Sequence, residues 1–340
     1  MILIDAIYIN NGGGKILLDL LISSLEKNNI DVFYILDERI INNHPLIKSN
    51  NLVYLKGGIG ERHKFYMRNR FRFSKIFCFG NLPPTIKSNV KVYTYFHQPM
   101  YLKIPKGFSF IERVKINLKI AILKITAQNT NYWLVQSNFI KEKLSKKFNF
   151  KPERVKVMPF YPQFKEISHP IIREKNTYLY VSNATPHKNH KRLIMIFCEF
   201  YDKFQTGKLI LTVDKSYPEI VSFIELKRKN GYPIRNIGFV ERDALQKEYL
   251  SSEYLIFPSL TESFGLGLIE AIECGCKVIG ADLPYTYEVC EPSLVFNPLD
   301  DESFMQVFEN SLNENVKMSI PKIKNNINEL ITVLLDIPCN

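Results

Sequence analysis

The chain has 340 residues, 46% hydrophobic and 23% charged, with a net charge of +11. That size and balance exclude a disordered chain and allow two ordinary domains, each burying its own core. No apolar run is long enough to span a bilayer, and the first residues lack the basic, apolar, small-residue order of a secretory signal, so the expected location is the cytoplasm.

In chain order, an apolar run ("MILIDAIYI") leads through "NNGGGK" into a helical pattern ("KILLDLLISSLEK"). Gly12, Gly13 and Gly14 tolerate positive φ and close approach, which suits either a phosphate-holding loop or a tight turn. Lys15 is followed by Ile16, and the glycines do not space as G-x-G-x-x-G, so neither standard phosphate pattern is met. The runs "DVFYIL", "NLVYL", "KIFCFG", "KVYTYF" and "YWLVQS" follow as strands, with "NFIKEKLSKKF" as a helix. "KVMPFYPQFKEISHPIIREKN", with Pro159, Pro162 and Pro170, breaks the periodicity as an interdomain linker would. Beyond it, "TYLYVSN", "KLILTVD", "IRNIGFV", "YLIFPS" and "CKVIGAD" alternate with "KRLIMIFCEFYDKF" and "LGLIEAIECG". Such alternation predicts parallel sheets with crossover helices, twice over, and a ligand cleft between two α/β domains at the carboxyl ends of the strands.

Charge is uneven: residues 1–165 hold 27 basic and 10 acidic side chains, residues 166–340 hold 18 and 24. "ERHKFYMRNRFRFSK" (61–75) interleaves Arg62, Lys64, Arg68, Arg70, Arg72 and Lys75 with Phe65, Tyr66, Phe71 and Phe73. "FSFIERVKINLKIAILKI" (108–125) sets Arg113, Lys115, Lys119 and Lys124 among Ile, Leu and Phe. These ingredients fit an anionic membrane surface, a nucleic acid backbone, or a solvated face over ordinary core aromatics. The six cysteines lack C-x-x-C pairs and read as reduced, buried thiols; Cys274 and Cys276 have no histidine or second pair nearby, so no metal is expected there.

The stretch "FPSLTESFGLGLIEAIECGCKVIGADLPYTYEV" carries the chemistry. Glu262 and Glu270 bracket "SFGLG", and Glu270 sits among Leu268, Ile269, Ala271 and Ile272, where a carboxylate needs a partner. Sugar hydroxyls would serve, as would an ordinary salt bridge for Glu270 and a surface helix cap for Glu262. Gly265 and Gly267 permit close ligand approach ahead of a helix start.

That stretch resembles the E-x7-E region of retaining GT-B glycosyltransferases of group 1 (family 4), of the bacterial surface-polysaccharide kind. "NIGFVERDALQKEYLSSEYLIFPS" is similar to the family's strand, Gly-Phe/Tyr-Val, helix and "PS" order. "YLYVSNATPHKNHKRLI" is similar to its V-G-R-x-x-P-x-K phosphate turn, with Asn183 at the arginine place and Lys188 at the lysine place. "YWLVQSNFIKEKL", "RVKVMPF", "VYTYFHQP" and "NNGGGK" resemble first-half features more loosely.

The resemblance implies two Rossmann-like domains facing a central cleft: 1–165 on the acceptor side, 166–320 binding the nucleotide-sugar, and a C-terminal helix in 321–340 packing back on the first domain. It implies that Glu270 binds the donor ribose, that Glu262 and the backbone of Phe264, Gly265 and Leu266 hold the sugar, and that Lys188 neutralises the departing diphosphate. His97 would lie near the reacting carbon, and Gly13 and Gly14 would face donor or acceptor. His187, Lys191 and Arg192 lie near enough in sequence to compensate for Asn183.

The expected reaction moves a sugar from a UDP- or GDP-linked donor to a lipid-linked glycan with retention, in O-antigen, lipopolysaccharide or capsule synthesis. It would run at the inner face of the cell membrane, on anionic lipid. No D-x-D triplet occurs, so metal-independent transfer without a cofactor is expected. A GT-B epimerase is the alternative within the fold. A nucleic-acid binder leaves Glu262 and Glu270 without purpose, and a dehydrogenase lacks G-x-G-x-x-G after the first strand.

Overall fold

The computed structural model describes residues 1–48, 50–104, 108–167 and 171–335. Pro170 and Cys339 lie outside the described residues. The chain divides into two compact units, one of residues 1–104, 109–162 and 324–340, the other of residues 105–108 and 163–323.

The first unit holds strands β1 (Ile2–Ala6), β2 (Val32–Asp37), β3 (Leu52–Leu55), β4 (Lys75–Cys78), β5 (Lys91–Phe96), β6 (Tyr132–Val135) and β7 (Val155–Val157). Its helices are α1 (Gly12–Lys27), α2 (Ile59–Arg68), α3 (Phe110–Thr126) and α4 (Asn138–Phe148). All seven strands run parallel in the order β3-β2-β1-β4-β5-β6-β7. Strands β1 and β2 are buried at every position, as expected of strands covered by helices on both faces. Helix α1 buries Leu17, Leu18, Leu21, Ile22 and Leu25, one stripe at helical spacing, each side chain contributing roughly 1.5–3 kcal/mol.

The second unit holds β8 (Glu174–Tyr180), β9 (Lys208–Leu211), β10 (Ile234–Asn236), β11 (Ser252–Phe257), β12 (Lys277–Ala281), β13 (Cys290–Glu291), β14 (Leu294–Phe296) and β15 (Ile320–Pro321). Between them run α5 (His190–Phe204), α6 (Pro218–Lys229), α7 (Arg242–Ser251), α8 (Leu266–Glu273), α9 (Pro284–Val289) and α10 (Asp301–Ser311). The main sheet is parallel, ordered β10-β9-β8-β11-β12-β14, and β13 and β15 form a small antiparallel pair. Helix α11 (Ile327–Leu335) belongs to the first unit, where Lys75 Nζ donates to the Val333 and Leu334 carbonyls at 3.0 and 2.6 Å. That ammonium caps the carboxyl end of α11, where a cation is favoured.

Both main sheets reverse strand order once, between β1 and β4 and between β8 and β11. At such a switch point neighbouring strands send their following segments to opposite faces, leaving a crevice at the carboxyl ends where ligands bind. The α/β class and the two Rossmann-like units expected from the alternating pattern are therefore present.

Two expectations from the first half need correction. The glycines are not a loop before the helix: Gly12, Gly13 and Gly14 are its first turn, entered through Gly12 at φ +61°. Two of the six basic residues in 61–75 are not surface charges. Arg62 and Lys75 are 2% and 3% exposed, Arg62 donating through Nε to Asp5 Oδ2 at 2.7 Å and through its terminal nitrogens to the Pro83 and Leu82 carbonyls at 2.7 and 2.8 Å. Among the aromatics of that stretch, Tyr66 and Phe73 are core and Phe71 is 80% exposed. Five cysteines (Cys78, Cys198, Cys274, Cys276, Cys290) are free and buried, and burial pushes each thiol up, Cys274 to about 12 and Cys276 to about 11.

Candidate functional site

In the second unit, the segment after β8 and the segment after β11 leave adjacent strands at the switch point. Leu260 N–H donates to the His187 carbonyl at 2.8 Å, joining the two segments backbone to backbone. Tyr180, at the end of β8, donates its hydroxyl to the Lys188 carbonyl at 2.9 Å. These bonds bring Lys188 Nζ against Glu262 Oε1 in an ion pair that spans 74 residues of sequence. Both side chains are largely shielded, at 16% and 13% exposure, so the pair is weakly screened.

Glu270 lies one strand-to-helix connection further on, in α8, and is 3% exposed. Desolvation raises its pKa, and Arg242 and Tyr249 oppose that rise. Arg242 pairs with Glu270 Oε1, and Tyr249 donates its hydroxyl to Oε2 at 3.1 Å. Arg242 and Tyr249 stand seven residues apart on α7, two turns along one face. Gly267 makes the approach possible: a Cβ there would come within 3.4 Å of the Tyr249 hydroxyl and 3.3 Å of Phe257. Gly265 caps α8 at φ +77°, and a Cβ would meet Leu268 Cδ1 at 2.9 Å, so the position admits only glycine without strain. Phe264 is buried beside it and Leu266 opens the helix.

Asn183 is exposed, its Oδ1 accepting from Thr185 Oγ1 at 3.0 Å, and brings no charge. Two of the three proposed substitutes for the arginine are engaged elsewhere. Lys191 pairs with Glu219, and Arg192 pairs with Asp301 at 2.9 Å and donates to the Pro298 carbonyl at 2.9 Å. His187 is held neutral, its pKa lowered to about 4 by burial and then by Lys188. Arg242 and Tyr249 were not singled out from the sequence; their i, i+7 spacing in "RDALQKEY" was the available signal.

In the first unit, the ends of β1, β4 and β5 carry Gly14, Asn81 and His97 together. Asn81, at φ +67° and 6% exposed, accepts the His97 backbone N–H through Oδ1 at 2.7 Å. That bond fixes the amide, so Nδ2 faces His97 Nε2 at 3.3 Å and places the imidazole proton on Nδ1. Nδ1 is buried and has no hydrogen-bond partner among the described residues, and burial lowers the His97 pKa to about 4. A Cβ on Gly14 would stand 3.3 Å from Nε2, whereas one on Gly13 would meet nothing within 4 Å. Lys15 is tied along α1 to Asp19 at 2.6 Å.

Another imidazole, His190, is 3% exposed, has neither ring nitrogen partnered among the described residues, lies 4.7 Å from the Tyr180 ring at a 34° tilt, and is lowered to about 3 by burial and then by Lys188. A depressed histidine is neutral when folded, while the unfolded chain takes up a proton below about pH 6.5. Stability is therefore complete above that pH and is lost as pH falls toward the folded values, by up to about 1.4 kcal/mol per pH unit for each such group. Melting temperature is expected to fall between pH 7 and pH 5, and His190→Leu to flatten that slope; an unchanged slope would refute the assignment.

A cavity of about 290 Å³ lined by Arg173, Lys175, Glu253, Gly275, Lys277 and Met318 sits at the amino ends of β8, β11 and β12, away from these groups. Its cations are committed: Arg173 donates to the Cys274 carbonyl at 2.6 Å, Lys175 pairs with Glu314, and Lys277 with Glu253.

Residues 163–319 match the family described as glycosyl transferases group 1. The O-antigen chain mannosyltransferase RfbU of Salmonella typhimurium is 28% identical over 209 residues, 59% of this chain and 56% of that protein. The chain matches 56% of the length of RfbU, 48% of the O-antigen chain mannosyltransferase B of Escherichia coli and 16% of the serotype-specific mannosyltransferase WbdA of Escherichia coli. Among solved structures, sucrose-phosphate synthase of Thermosynechococcus elongatus superposes with a TM-score of 0.74 at 16% identity, covering 92% of this chain and 90% of that one. HepE of Anabaena, solved with UDP and glucose, gives 0.66 at 14% identity, covering 99% and 97%.

Proposed function

With residues 163–319 matching the group 1 glycosyl transferases and the chain carrying the GT-B fold, we propose that this protein transfers a sugar from a nucleotide-sugar to a lipid-linked glycan with retention of configuration. The observation that carries the reading is the pairing of both spaced carboxylates, Glu262 with Lys188 and Glu270 with Arg242, at one switch point. Glu270 receives the ribose hydroxyls, Glu262 and the Phe264–Leu266 backbone hold the sugar, and Lys188 moves to the diphosphate as it leaves. Acceptor oxygen bonds to the anomeric carbon on the face from which the nucleoside diphosphate departs, and the acceptor proton goes to the leaving phosphate oxygen. The named activities of RfbU and related O-antigen enzymes favour mannose as the sugar and surface polysaccharide as the product. The lack of D-x-D supports transfer without a metal, and undiminished activity in a chelator is the expected result.

The Gly14–Asn81–His97 cluster is assigned to the acceptor side. His97 has its Nε2 occupied and its Nδ1 buried, so it acts by position rather than as a free base. The open space at Gly13 supports a ligand-facing role for the first turn of α1, and Gly13→Val is expected to lower transfer at least tenfold with an unchanged melting temperature.

No helix among the described residues is long and apolar enough to cross a membrane. Peripheral attachment at the inner membrane face is supported by α3, started by the Ser109–Glu112 capping box, which leaves Phe110, Ile111, Val114, Leu118 and Ile125 exposed beside Arg113, Lys115, Lys119 and Lys124. Each cation contributes about 1 kcal/mol near an anionic surface.

The test is transfer from a panel of UDP- and GDP-sugars to a lipid-linked acceptor, in wild type and Glu270→Gln. Product from one donor, lost in the variant, supports the reading; nucleotide release without an acceptor would favour the epimerase instead. Failure of anionic liposomes to retain the protein at moderate salt removes the membrane part.

A further inference from the structure

Glu270 poses a problem that its own helix does not solve. A carboxylate 3% exposed loses most of its hydration, and desolvation favours the protonated form, in which one acceptor position is given up to a proton and both oxygens accept more weakly. Arg242 meets this need from α7, with its guanidinium against Oε1 and its face 4.1 Å over the Phe164 ring. Phe164 also packs against Tyr249, ring centroids 5.8 Å apart, so one aromatic braces both groups that bond to Glu270. Arginine suits the position, since it remains charged under all ordinary conditions and its planar fork stacks on an aromatic face.

Each carboxylate oxygen has two acceptor sites. Arg242 takes one on Oε1 and Tyr249 one on Oε2, which leaves one on each oxygen, the number a vicinal diol fills. We propose that Arg242 is a positioning residue for the donor, holding Glu270 ionised and fixed so that its remaining lone pairs bind the ribose diol of a nucleoside diphosphate. The proposal rests on the reading of Glu270 as the ribose-binding group. Among the described residues, the other groups facing Glu270 leave Arg242 as the balancing charge: Tyr249 is a neutral phenol raised well above its ordinary value, Cys274 is a neutral thiol, and Glu273 on the same helix is a further negative charge.

The experiment is calorimetric titration of the full chain with UDP and with GDP between pH 5.5 and 9, in two buffers of different ionisation enthalpy. Wild type is expected to show only the pH dependence of the nucleotide's terminal phosphate, which ionises at about pH 6 and is common to every variant. In Arg242→Gln the Glu270 pKa rises further, so affinity falls about tenfold for each pH unit below the new value, recovers at high pH, and binding releases a proton. Arg242→Lys restores a charge and brings back the wild-type profile. Loss of the preference for ribo- over 2′,3′-dideoxynucleotide accompanies the low-pH defect.

An Arg242→Gln variant that binds as wild type, or that loses affinity equally at every pH without proton release, overturns the proposal. Glu270→Gln separates the two ideas. If that variant binds as wild type, the ribose reading falls; if it is weakened while Arg242→Gln is not, only the role of Arg242 falls. Thermal melts of all variants identify any that fail to fold, and Arg242→Lys then carries the test.

Discussion

Lys188→Ala is expected to lower kcat for sugar transfer by about 10²–10³-fold, the range found when one donor to developing negative charge is removed. The donor KM should change less, because the ammonium is paired with Glu262 before the donor arrives and gains most from the diphosphate as its charge increases. Removing the lysine also leaves Glu262, 13% exposed, without its cation, at a cost of about 1–3 kcal/mol. Lys188→Met separates the two effects by restoring bulk while omitting charge. Steady-state and single-turnover kinetics with a folding check on each variant decide the matter; kcat within about threefold of wild type in the folded variants would remove Lys188 from the leaving-group role.

Arg62→Met is expected to destabilise the first unit by about 3–5 kcal/mol, because it strands the Asp5 carboxylate in a place 1% exposed. Tyr66 would still donate to Asp5 Oδ2 at 2.5 Å, but a neutral donor does not balance the charge. Joining the change to Asp5→Asn should recover part of the loss, since the buried charge is gone. Recovery stays incomplete because the Leu82 and Pro83 carbonyls have lost their donor. Those carbonyls follow directly after Asn81, so the single variant should also weaken the grip on His97 and lower transfer. Urea unfolding of the single and double variants measures the difference, and a single-variant cost under about 1 kcal/mol would show that water or a rearranged side chain replaces the guanidinium.

The contrast between these residues explains what was legible in the sequence. Strands such as "DVFYIL" and "KVYTYF" were readable because burial on both faces leaves a continuous apolar run, a purely local signal. The E-x7-E stretch was readable because its glycines and carboxylates keep fixed spacing along a loop and one helix. Arg62 was not: nothing local in "ERHKFYMRNRFRFSK" sets it apart from Arg68, and what holds it in the interior is Asp5 on β1, 57 residues away. Lys75 was hidden for the same reason, its acceptors lying more than 250 residues along the chain. Arg242 is the site's own example, since its relation to Glu270 depends on how α7 packs beside α8. The glycine run was legible as flexible backbone, but where the helix began required the left-handed Gly12 to be seen.

Helix α11 and Lys75 have a practical consequence for anyone cutting this chain. Apart from the short 105–108 segment, the second unit is the continuous stretch 163–323, while the other unit is assembled from fragments on either side of it. The second unit is therefore an insert in the first, and expressing residues 1–162 alone would leave the Lys75 ammonium without the carbonyls it caps. A fragment of 163–323 is the natural one to isolate for nucleotide titration, and supplying the 324–335 segment as a peptide in trans is the way to rebuild the host around it.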